Sequence, residues 1–322
     1  MAITMSNTTN YSGMLYTRVD ENTRFLDAIY GRGRGGGRNT TYSLEFVLAS
    51  GYDMDDPSQP AISETASLTA PEPETTERDQ EYNVVQIFQR TAKVSYVKQS
   101  NRDMLGGVHN ANQQNNVPNE LDFQVGRRVA QMRMDLNYTL INGVYQYAKG
   151  STTVAPKTRG LLPAIQTNLI DAAGAPLTRQ IINDTVKEAI ANGADPTAFE
   201  IWCNPAMLDI VTDVYASIPG FTQPGARTEG GIAITQILTP YAPLTVQWEP
   251  NIPDGDLVFV NMGQMAVAEK PYFDINGNNL GVLFYVDLAT TGAGEGGFIY
   301  GELGTDYGAE WHHARITGLE TA

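Results

Sequence analysis

Hydrophobic and polar residues alternate regularly between residues 82 and 99, YNVVQIFQRTAKVSYVKQ. A period of two residues is typical of an antiparallel strand with one buried face. The predicted buried face holds Phe88, Ala92, Val94 and Tyr96 together with Arg90, and the opposite face holds Gln89, Thr91, Lys93 and Ser95.

The pattern then changes to the period of one long amphipathic helix. Asn119 is a suitable N-cap residue, and Gly150 is a suitable residue to end the helix. These limits predict a helix of about 28 residues with a length of roughly 42 Å. We expect this helix to lie across a sheet as a strut. Its apolar stripe consists of Leu121, Val125, Val129, Met132, Leu136, Leu140 and Val144.

Residues 174–261 alternate between strand and helix patterns, which predicts a compact α/β domain with its own core. Residues 262–322 are mostly β in pattern, with a hairpin turn at Asn276-Gly277. The predicted elements are strands at 41–49, 199–203, 232–238, 244–248 and 257–261, a short helix at 24–30, and helices from Thr178 to Asn192 and from Pro205 to about Ser217.

Residues 50–81 are rich in Pro, Asp, Glu, Ser and Thr and have few large apolar residues. With the strand that follows they form an excursion as long as a small domain but without a core of its own. Loops of this length in compact proteins are usually functional.

Charge is distributed unevenly along a chain of net charge −15. Residues 52–81 hold nine acidic residues and one basic one, whereas residues 82–102 hold four basic residues and no acid. Such polarity can set the register between neighbouring subunits, and a solvated loop is the equally open alternative. The candidate assembly contacts are Asp53, Asp55, Asp56, Glu64, Glu72, Glu74, Arg90, Lys93, Lys98 and Arg102.

The overall composition excludes several classes of protein. Charged residues make up 18% of the chain, which is low for a soluble monomer and suggests surfaces that face other proteins. A single cysteine excludes an intrachain disulfide framework. No signal peptide is recognisable, and no apolar run approaches a membrane span.

The sequence contains fragments that match cofactor-binding and metal-binding motifs, but the residues around them do not fit such sites. Gly31-x-Gly33-x-x-Gly36 and Gly292-x-Gly294-x-x-Gly297 match a dinucleotide-binding pattern, but both lead into strands where a helix is required. The segment from Asp274 begins like a calcium loop but lacks the required Gly and Glu, so a hairpin is predicted there. We therefore expect no cofactor and no metal.

Candidate catalytic residues are equally weak. His312 and His313 would point to opposite faces of a strand, and Cys203 in an apolar strand is expected to be a small buried residue. His109 lies in a polar loop. No nucleophile motif is present, so we expect no enzyme.

The glycine-rich run from Arg32 to Arg38 predicts a flexible arm, because ordering so many glycines is entropically costly. Its arginines, Arg32, Arg34 and Arg38, are candidate contacts to nucleic acid phosphates or to an acidic neighbouring loop.

The order of these parts resembles the major capsid proteins of tailed bacteriophages, which have the Hong-Kong-97-type α+β fold. Similar stretches are TYSLEF (41–46), QPAISETASLTAPE (59–72), NVVQIFQRTAKVSYVKQ (83–99), NELDFQVGRRVAQMRMDLNYTLINGVYQ (119–146) and RGLLPAIQTN (159–168). The resemblance implies an N-terminal arm (1–40), an E-loop β-hairpin excursion (41–117), a spine helix with the first part of a peripheral P-domain (118–173), an α/β axial A-domain (174–261) and a returning β segment completing the P-domain (262–322).

The resemblance further implies a shell protein that forms hexamers and pentamers around double-stranded DNA without sequence specificity, assembled in the bacterial cytoplasm. Implied partners are other copies of the chain, portal and decoration proteins, and a separate scaffolding protein, since a cleaved N-terminal segment is not expected. Lys93 and Lys98 could donate to covalent cross-links in such a family, but ion pairing is the expected role. The alternatives are an encapsulin-like compartment and a soluble α/β hydrolase or binding domain with a long lid.

Overall fold

The computed structural model describes residues 21–52, 58–70, 75–99, 119–216, 236–289 and 292–321. Its α-helices in these ranges are α1 (Arg24–Arg32), α2 (Glu64–Ser67), α3 (Tyr96–Gln99), α4 (Glu120–Asn142), α5 (Leu161–Ala164), α6 (Arg179–Ala191) and α7 (Pro205–Ala216).

The strands form two larger sheets and two hairpins. They are β1 (Arg38–Thr40), β2 (Glu45–Tyr52), β3 (Arg78–Val84), β4 (Gln86–Ser95), β5 (Leu169–Asp171), β6 (Phe199–Cys203), β7 (Gln236–Leu238), β8 (Pro243–Trp248), β9 (Leu257–Asn261), β10 (Ala266–Lys270), β11 (Tyr272–Phe273), β12 (Asn279–Gly281), β13 (Leu283–Asp287), β14 (Gly294–Asp306) and β15 (Ala314–Thr317).

One sheet is built around the long strand β14. β10 and β13 pair antiparallel with successive parts of one edge of β14, and β4 pairs antiparallel with the other edge. β1 joins the sheet through a parallel pairing with β10. The helix α4 packs against β4 and β14, so the predicted strut across a sheet is confirmed.

The predicted strand at 82–99 is two strands in the structure. β3 pairs antiparallel with β2 in a separate hairpin, and after Val85 the chain continues as β4 in the sheet of β14. The predicted faces of β4 are confirmed, with Phe88, Ala92 and Val94 buried. Tyr96 is not on that face, because it begins α3 and is exposed.

Helix α4 begins as predicted but ends earlier. The Asn119 side chain accepts hydrogen bonds from two backbone N–H groups of the first turn. The helix stops at Gly143 instead of Gly150, giving 23 residues and a length of roughly 35 Å. The cause is a close crossing of two backbones, since a Cβ on Gly143 would lie 2.7 Å from the carbonyl oxygen of Thr158. Val144 therefore leaves the predicted stripe and is exposed.

The second large sheet has the order β5-β15-β9-β6-β8-β7 and packs against α6 and α7. The predicted elements of the α/β region are confirmed within one to three residues where they are described. However, the sheet also takes in β5 and β15, which lie outside the predicted boundaries of 174 and 261. Closing this sheet requires strands from both flanking segments.

The short helix predicted at 24–30 is confirmed as α1, and the glycine-rich run from Arg32 to Arg38, expected to be a flexible arm, is hydrogen-bonded to the fold. α1 buries Phe25, Leu26 and Ile29 in the core under α4. A tight turn with positive φ at Gly35, Gly36 and Gly37 then leads into β1. The glycines allow this turn at no steric cost, and β10 supplies the hydrogen bonds that order the strand.

Candidate assembly surfaces

A two-stranded hairpin made of β2, the connecting residues and β3 extends from the rest of the fold; we call residues 45–84 the long hairpin. All residues described between 58 and 70 are exposed, including Ile62 at 72% and Leu68 at 84%. The helix α2 is capped by Ser63 but buries no side chain. A one-turn helix without packing is only marginally stable in water. Its exposed apolar side chains, Ile62 and Leu68, are therefore candidates for contact with another protein.

The base of the long hairpin is fastened by a fully buried amide. Asn83 Nδ2 donates to the carbonyl oxygens of Arg159 (3.1 Å) and Thr305 (2.8 Å). Asn83 Oδ1 accepts a hydrogen bond from the backbone N–H of Arg159 at 2.9 Å. These bonds fix the direction in which the hairpin leaves the core.

A second fastening involves an acidic residue of the hairpin. Glu81 accepts hydrogen bonds from Arg159 Nη1 (2.9 Å) and from the hydroxyl of Tyr307 (2.8 Å). Burial raises the pKa of Glu81, against the lowering effects of Tyr307 and Arg159. Burial and the neighbouring Glu81 raise the pKa of Tyr307. This carboxylate therefore belongs to an intrachain network.

The predicted basic contacts differ in their surroundings. Arg90 forms an ion pair with Asp135 of α4 at 2.5 Å, and Lys98 forms one with Glu120 at 2.5 Å. Lys93 is exposed on the outer face of β4. Two of the predicted intersubunit cations thus have partners within the chain, which sequence spacing did not reveal.

The predicted acidic contacts fall largely outside the described residues. Glu64 is exposed at the start of α2. The contact role of these residues stays a prediction. Those outside the described ranges are Asp53, Asp55, Asp56, Glu72 and Glu74, with the basic Arg102 and the histidine His109.

The three arginines expected to contact nucleic acid each have an acidic partner in the chain. Arg32 pairs with Glu200 at 2.8 Å, and Arg38 lies 3.6 Å from Glu269. Arg34 pairs with Asp306, which is fully buried. Burial raises the pKa of Asp306, and the Arg34 guanidinium opposes this. The arginines therefore attach residues 32–38 to the fold, and contact with nucleic acid stays a prediction.

Sequence reasoning missed a buried polar junction beneath α1. Glu249 is fully buried and accepts hydrogen bonds from Phe25 N (3.3 Å), Asn137 Nδ2 (3.1 Å) and Asn251 Nδ2 (2.7 Å). Asn137 Oδ1 accepts a bond from Leu26 N at 2.9 Å. Distant side chains thus satisfy two of the free N–H groups at the start of α1. The available signal was a polar Asn137 beside the apolar stripe of α4.

Two of the residues considered for catalysis, Cys203 and His313, are fully buried. Cys203 is fully buried, and burial raises the pKa of its thiol to about 12. Fully buried His313 accepts a hydrogen bond from Asn261 N at Nδ1 (3.2 Å), so its Nε2 donates to the Tyr307 carbonyl at 2.8 Å. Burial lowers the pKa of His313 to about 4, which keeps the ring neutral near pH 7.

A cleft of about 910 Å³ opens between the long hairpin and the rest of the fold. Its lining is largely polar and charged, with Glu77, Asp79, Glu81 and Glu310 on its walls. Ligand pockets for small molecules are usually enclosed and mostly apolar. Cys203 and His312 are not among its lining residues, although Glu310 and Trp311, which precede His312, are.

Within the ranges that the structure describes, no cluster of His, Cys, Asp and Glu has the arrangement to hold a metal ion. No helix in the same ranges has the length and apolarity needed to cross a membrane.

Comparison with known proteins gives one family. The family model for the SU10 major capsid protein matches residues 2–320. No curated protein matches the chain.

Solved structures share the fold at low sequence identity. The cyanophage A-1(L) capsid subunit has a TM-score of 0.67 at 9% identity, covering 98% of this chain and 97% of that one. The capsid of Myoviridae phage XM1 has a TM-score of 0.55 at 12% identity, covering 99% of both chains. The SrpI encapsulin of Synechococcus elongatus PCC 7942 has a TM-score of 0.58 at 8% identity, covering 98% and 93%.

Proposed function

The chain belongs to the SU10 major capsid protein family, and from this premise we propose that it assembles as hexamers and pentamers into an icosahedral shell around double-stranded DNA. A major capsid protein forms the shell of the virion. The role proposed for the chain is structural and non-catalytic.

The observation that carries the proposal is the long hairpin. It is held rigidly at its base by Asn83 and Glu81, yet its far end has no packing partner among the described residues. An isolated two-stranded hairpin is marginally stable in water. A neighbouring subunit would supply the missing contacts, and repetition of that contact around a ring would close a capsomer.

The charge pattern suggests how neighbours meet. Acidic residues predominate between 52 and 81, and Lys93 is an exposed cation on β4. Because Arg90 and Lys98 have intrachain partners, we expect the electrostatic part of the contact to be modest. Assembly should still weaken as salt screens the remaining pairs.

The test compares the full chain with a variant in which residues 53–77 are replaced by a short Gly-Ser turn. This change joins β2 to β3 directly and keeps the Glu81 and Asn83 fastenings. Light scattering and electron microscopy should show megadalton shells for the full chain and small species for the variant. Circular dichroism of the variant should retain the spectrum of the folded core. Closed shells from the variant would refute the role of the hairpin, and a stable species near 35 kDa from the full chain would refute self-assembly.

An encapsulin-like compartment is the second candidate, because the SrpI encapsulin shares the fold across nearly the whole chain. The contents of the particle distinguish the two functions. Nuclease-protected DNA in particles from infected cells supports a DNA-filled head, whereas a specific protein cargo without DNA supports a compartment.

The proposed DNA-filled shell implies further partner proteins. A shell that is filled with DNA needs a portal, and scaffolding and decoration proteins are proposed as additional partners during assembly in the host cytoplasm. Purified chain that forms shells of uniform size without any other protein would make a scaffolding partner unnecessary.

A further inference from the structure

The dipeptide Asn-Gly occurs three times in the sequence, at residues 142–143, 192–193 and 276–277. In this dipeptide the backbone nitrogen after the asparagine can approach the asparagine carboxamide closely, because glycine has no Cβ to hinder the approach. When the two groups meet, the nitrogen can attack the carboxamide carbon. The three copies therefore allow their surroundings to be compared while the reacting pair stays the same.

The first pair, Asn142-Gly143, is held between packed segments. Asn142 Nδ2 donates to the Asn251 carbonyl oxygen at 2.7 Å, and Gly143 N donates to the Thr139 carbonyl oxygen at 2.9 Å. Gly143 also lies at the backbone crossing with Thr158, where a Cβ would have no room. The carboxamide and the nitrogen can meet only if these contacts are broken.

The second pair, Asn192-Gly193, lies at the exposed end of α6, but its side chain is fixed. Asn192 Nδ2 donates at 2.7 Å to Oδ1 of Asn168, which is itself buried. Gly193 N donates to the Ile190 carbonyl oxygen at 3.0 Å. This carboxamide is therefore held by another segment of the fold and does not meet the following nitrogen.

The third pair, Asn276-Gly277, forms the exposed tip of the hairpin β11–β12. The neighbouring Ile275 is fully exposed, and a Cβ on Gly277 would have no atom within 4 Å. Among the described residues, no hydrogen bond ties the Asn276 carboxamide to another segment. The turn is held by its own Asp274, whose Oδ1 accepts bonds from Asn276 N and Asn278 N, each at 2.8 Å.

This hairpin is fixed at its base and weak towards its tip. At the base, Tyr272 stacks on Phe284 with ring centroids 5.0 Å apart. β11 has two residues and β12 has three, none of them buried, and their register shifts between Tyr272 and Phe273. A two-stranded hairpin of this size is marginally stable in water, so we expect the tip to open locally far more often than the core.

Opening of the tip releases the attacking nitrogen. In the closed turn Gly277 N donates to the Asp274 carbonyl oxygen at 3.0 Å. Once that bond is broken, the N–H group can lose its proton to hydroxide, and the nitrogen can reach Cγ of Asn276. The rate should therefore follow the population of the open turn.

We propose that Asn276 is a site of spontaneous covalent modification, at which the backbone nitrogen of Gly277 converts the carboxamide into a carboxylate. The deprotonated nitrogen forms a bond to Cγ, and the bond from Cγ to Nδ2 breaks, so that Nδ2 leaves as ammonia with a proton from water. The product is a five-membered succinimide ring. Water then opens the ring: cleavage between Cγ and the Gly277 nitrogen gives aspartate, and cleavage of the original peptide bond gives isoaspartate. No atom is oxidised or reduced, and water is the only co-reactant.

Either product changes the hairpin. Both add one negative charge beside Asp274 in a chain of net charge −15. Isoaspartate also lengthens the backbone by one methylene group, whereas the left-handed conformation of Gly277, with φ of 80°, belongs to a turn of ordinary length. Isoaspartate should therefore prevent the tip from closing. The inference goes beyond the proposed function, because the reaction does not depend on assembly.

Peptide mapping of the full-length protein by mass spectrometry tests the site. Unassembled protein is kept at pH 8 in water enriched in heavy oxygen and sampled over time. Asn276 should convert at least about tenfold faster than Asn142 and Asn192, because its turn opens more readily. Each converted copy should contain one heavy oxygen, and both isoaspartate and aspartate should appear. Equal rates at the three sites, or aspartate without isoaspartate, would overturn the proposal.

A longer side chain provides the control for the ring. Asn276→Gln keeps a carboxamide at the tip but would have to form a larger ring, so it should stay unmodified under the same conditions. Its circular dichroism should match that of the wild type, because the substituted side chain is exposed. A carboxylate formed at the same rate in this variant would indicate direct hydrolysis and overturn the proposal.

A matched pair of variants tests the dependence on turn opening. Asp274→Ala removes the carboxylate that accepts bonds from Asn276 N, Asn278 N and Asn278 Nδ2. Asp274→Asn removes the charge but keeps an acceptor oxygen. Asn276 should convert at least about threefold faster in the alanine variant than in the asparagine variant, because the turn opens more often. Equal rates in the two variants would overturn the claim that turn opening controls the reaction.

Discussion

Replacing Asn83 with alanine tests whether one buried amide fixes the long hairpin to the core. The substitution removes two hydrogen bonds donated to the carbonyl oxygens of Arg159 and Thr305 and two accepted from the backbone N–H groups of Val84 and Arg159. Each polar group left buried and unpaired costs about 1–3 kcal/mol. Since relaxation and water entry recover part of this cost, we expect a loss of about 3 kcal/mol in the free energy of unfolding.

The assay is urea unfolding of unassembled protein at pH 7, followed by circular dichroism. The control is Gln80→Ala on the same strand, because Gln80 is exposed and its Nε2 donates at 3.3 Å to Ser50. An exposed contact of this kind should change the free energy of unfolding by less than about 0.5 kcal/mol. The Asn83 variant should also assemble poorly, because its hairpin is no longer held in one direction.

Equal urea midpoints for the Asn83 and Gln80 variants would refute the reasoning. A large loss of stability with normal shell assembly would retain the energetic assignment but refute the claim that Asn83 orients the hairpin for assembly.

Three further outcomes are expected. Burial lowers the pKa of His313 to about 4, so the stability that its neutral ring contributes is complete above about pH 6.5 and is lost as the pH falls towards 4. Between pH 7 and pH 5 the free energy of unfolding of the wild type, measured in urea, should fall by about 2 kcal/mol more than that of His313→Gln. Gly143→Ala should lower the free energy of unfolding by about 1–3 kcal/mol, because the new Cβ would meet backbone oxygens. Gly126→Ala, which has open space around it on α4, should raise the free energy of unfolding by about 0.5–1 kcal/mol. Equal effects of the two substitutions in thermal unfolding would be inconsistent with the backbone crossing at Gly143. Arg34→Ala leaves the buried carboxylate of Asp306 without its cation and should lower the free energy of unfolding by about 2 kcal/mol at pH 7. Arg38→Ala should lower it by less, because the Arg38 side chain is 66% exposed. The reverse order in urea unfolding would contradict this assignment.

Local sequence signals were sufficient for several elements. The Asn119 cap, the alternation in β4 and the helix opened by Asn204-Pro205 are each encoded by neighbouring residues. Burial of one face or satisfaction of a helix end needs no distant partner to be recognised. The order of these elements also indicated the shell-protein fold that the family match supports.

Other features depend on residues that are far apart in sequence. The division at Val85 exists because the next strand pairs with β14, and the helix ends at Gly143 because Thr158 and Gly160 cross it there. The three arginines between residues 32 and 38 form ion pairs with acidic residues that lie more than 150 positions away in the sequence. No local pattern contains these partners.

By itself, the sequence determined the type of most long helices and strands, and that a long polar excursion precedes a long helix. The tertiary structure decided which strand edges are closed and which charges are already paired. The physical reason is that periodicity reports how one segment meets its nearest surface, whereas hydrogen bonds between strands and ion pairs are completed by whichever distant segment the fold brings alongside. The pairing of β4 is such a feature, since the alternating pattern predicts the strand but does not show which of its edges β14 occupies.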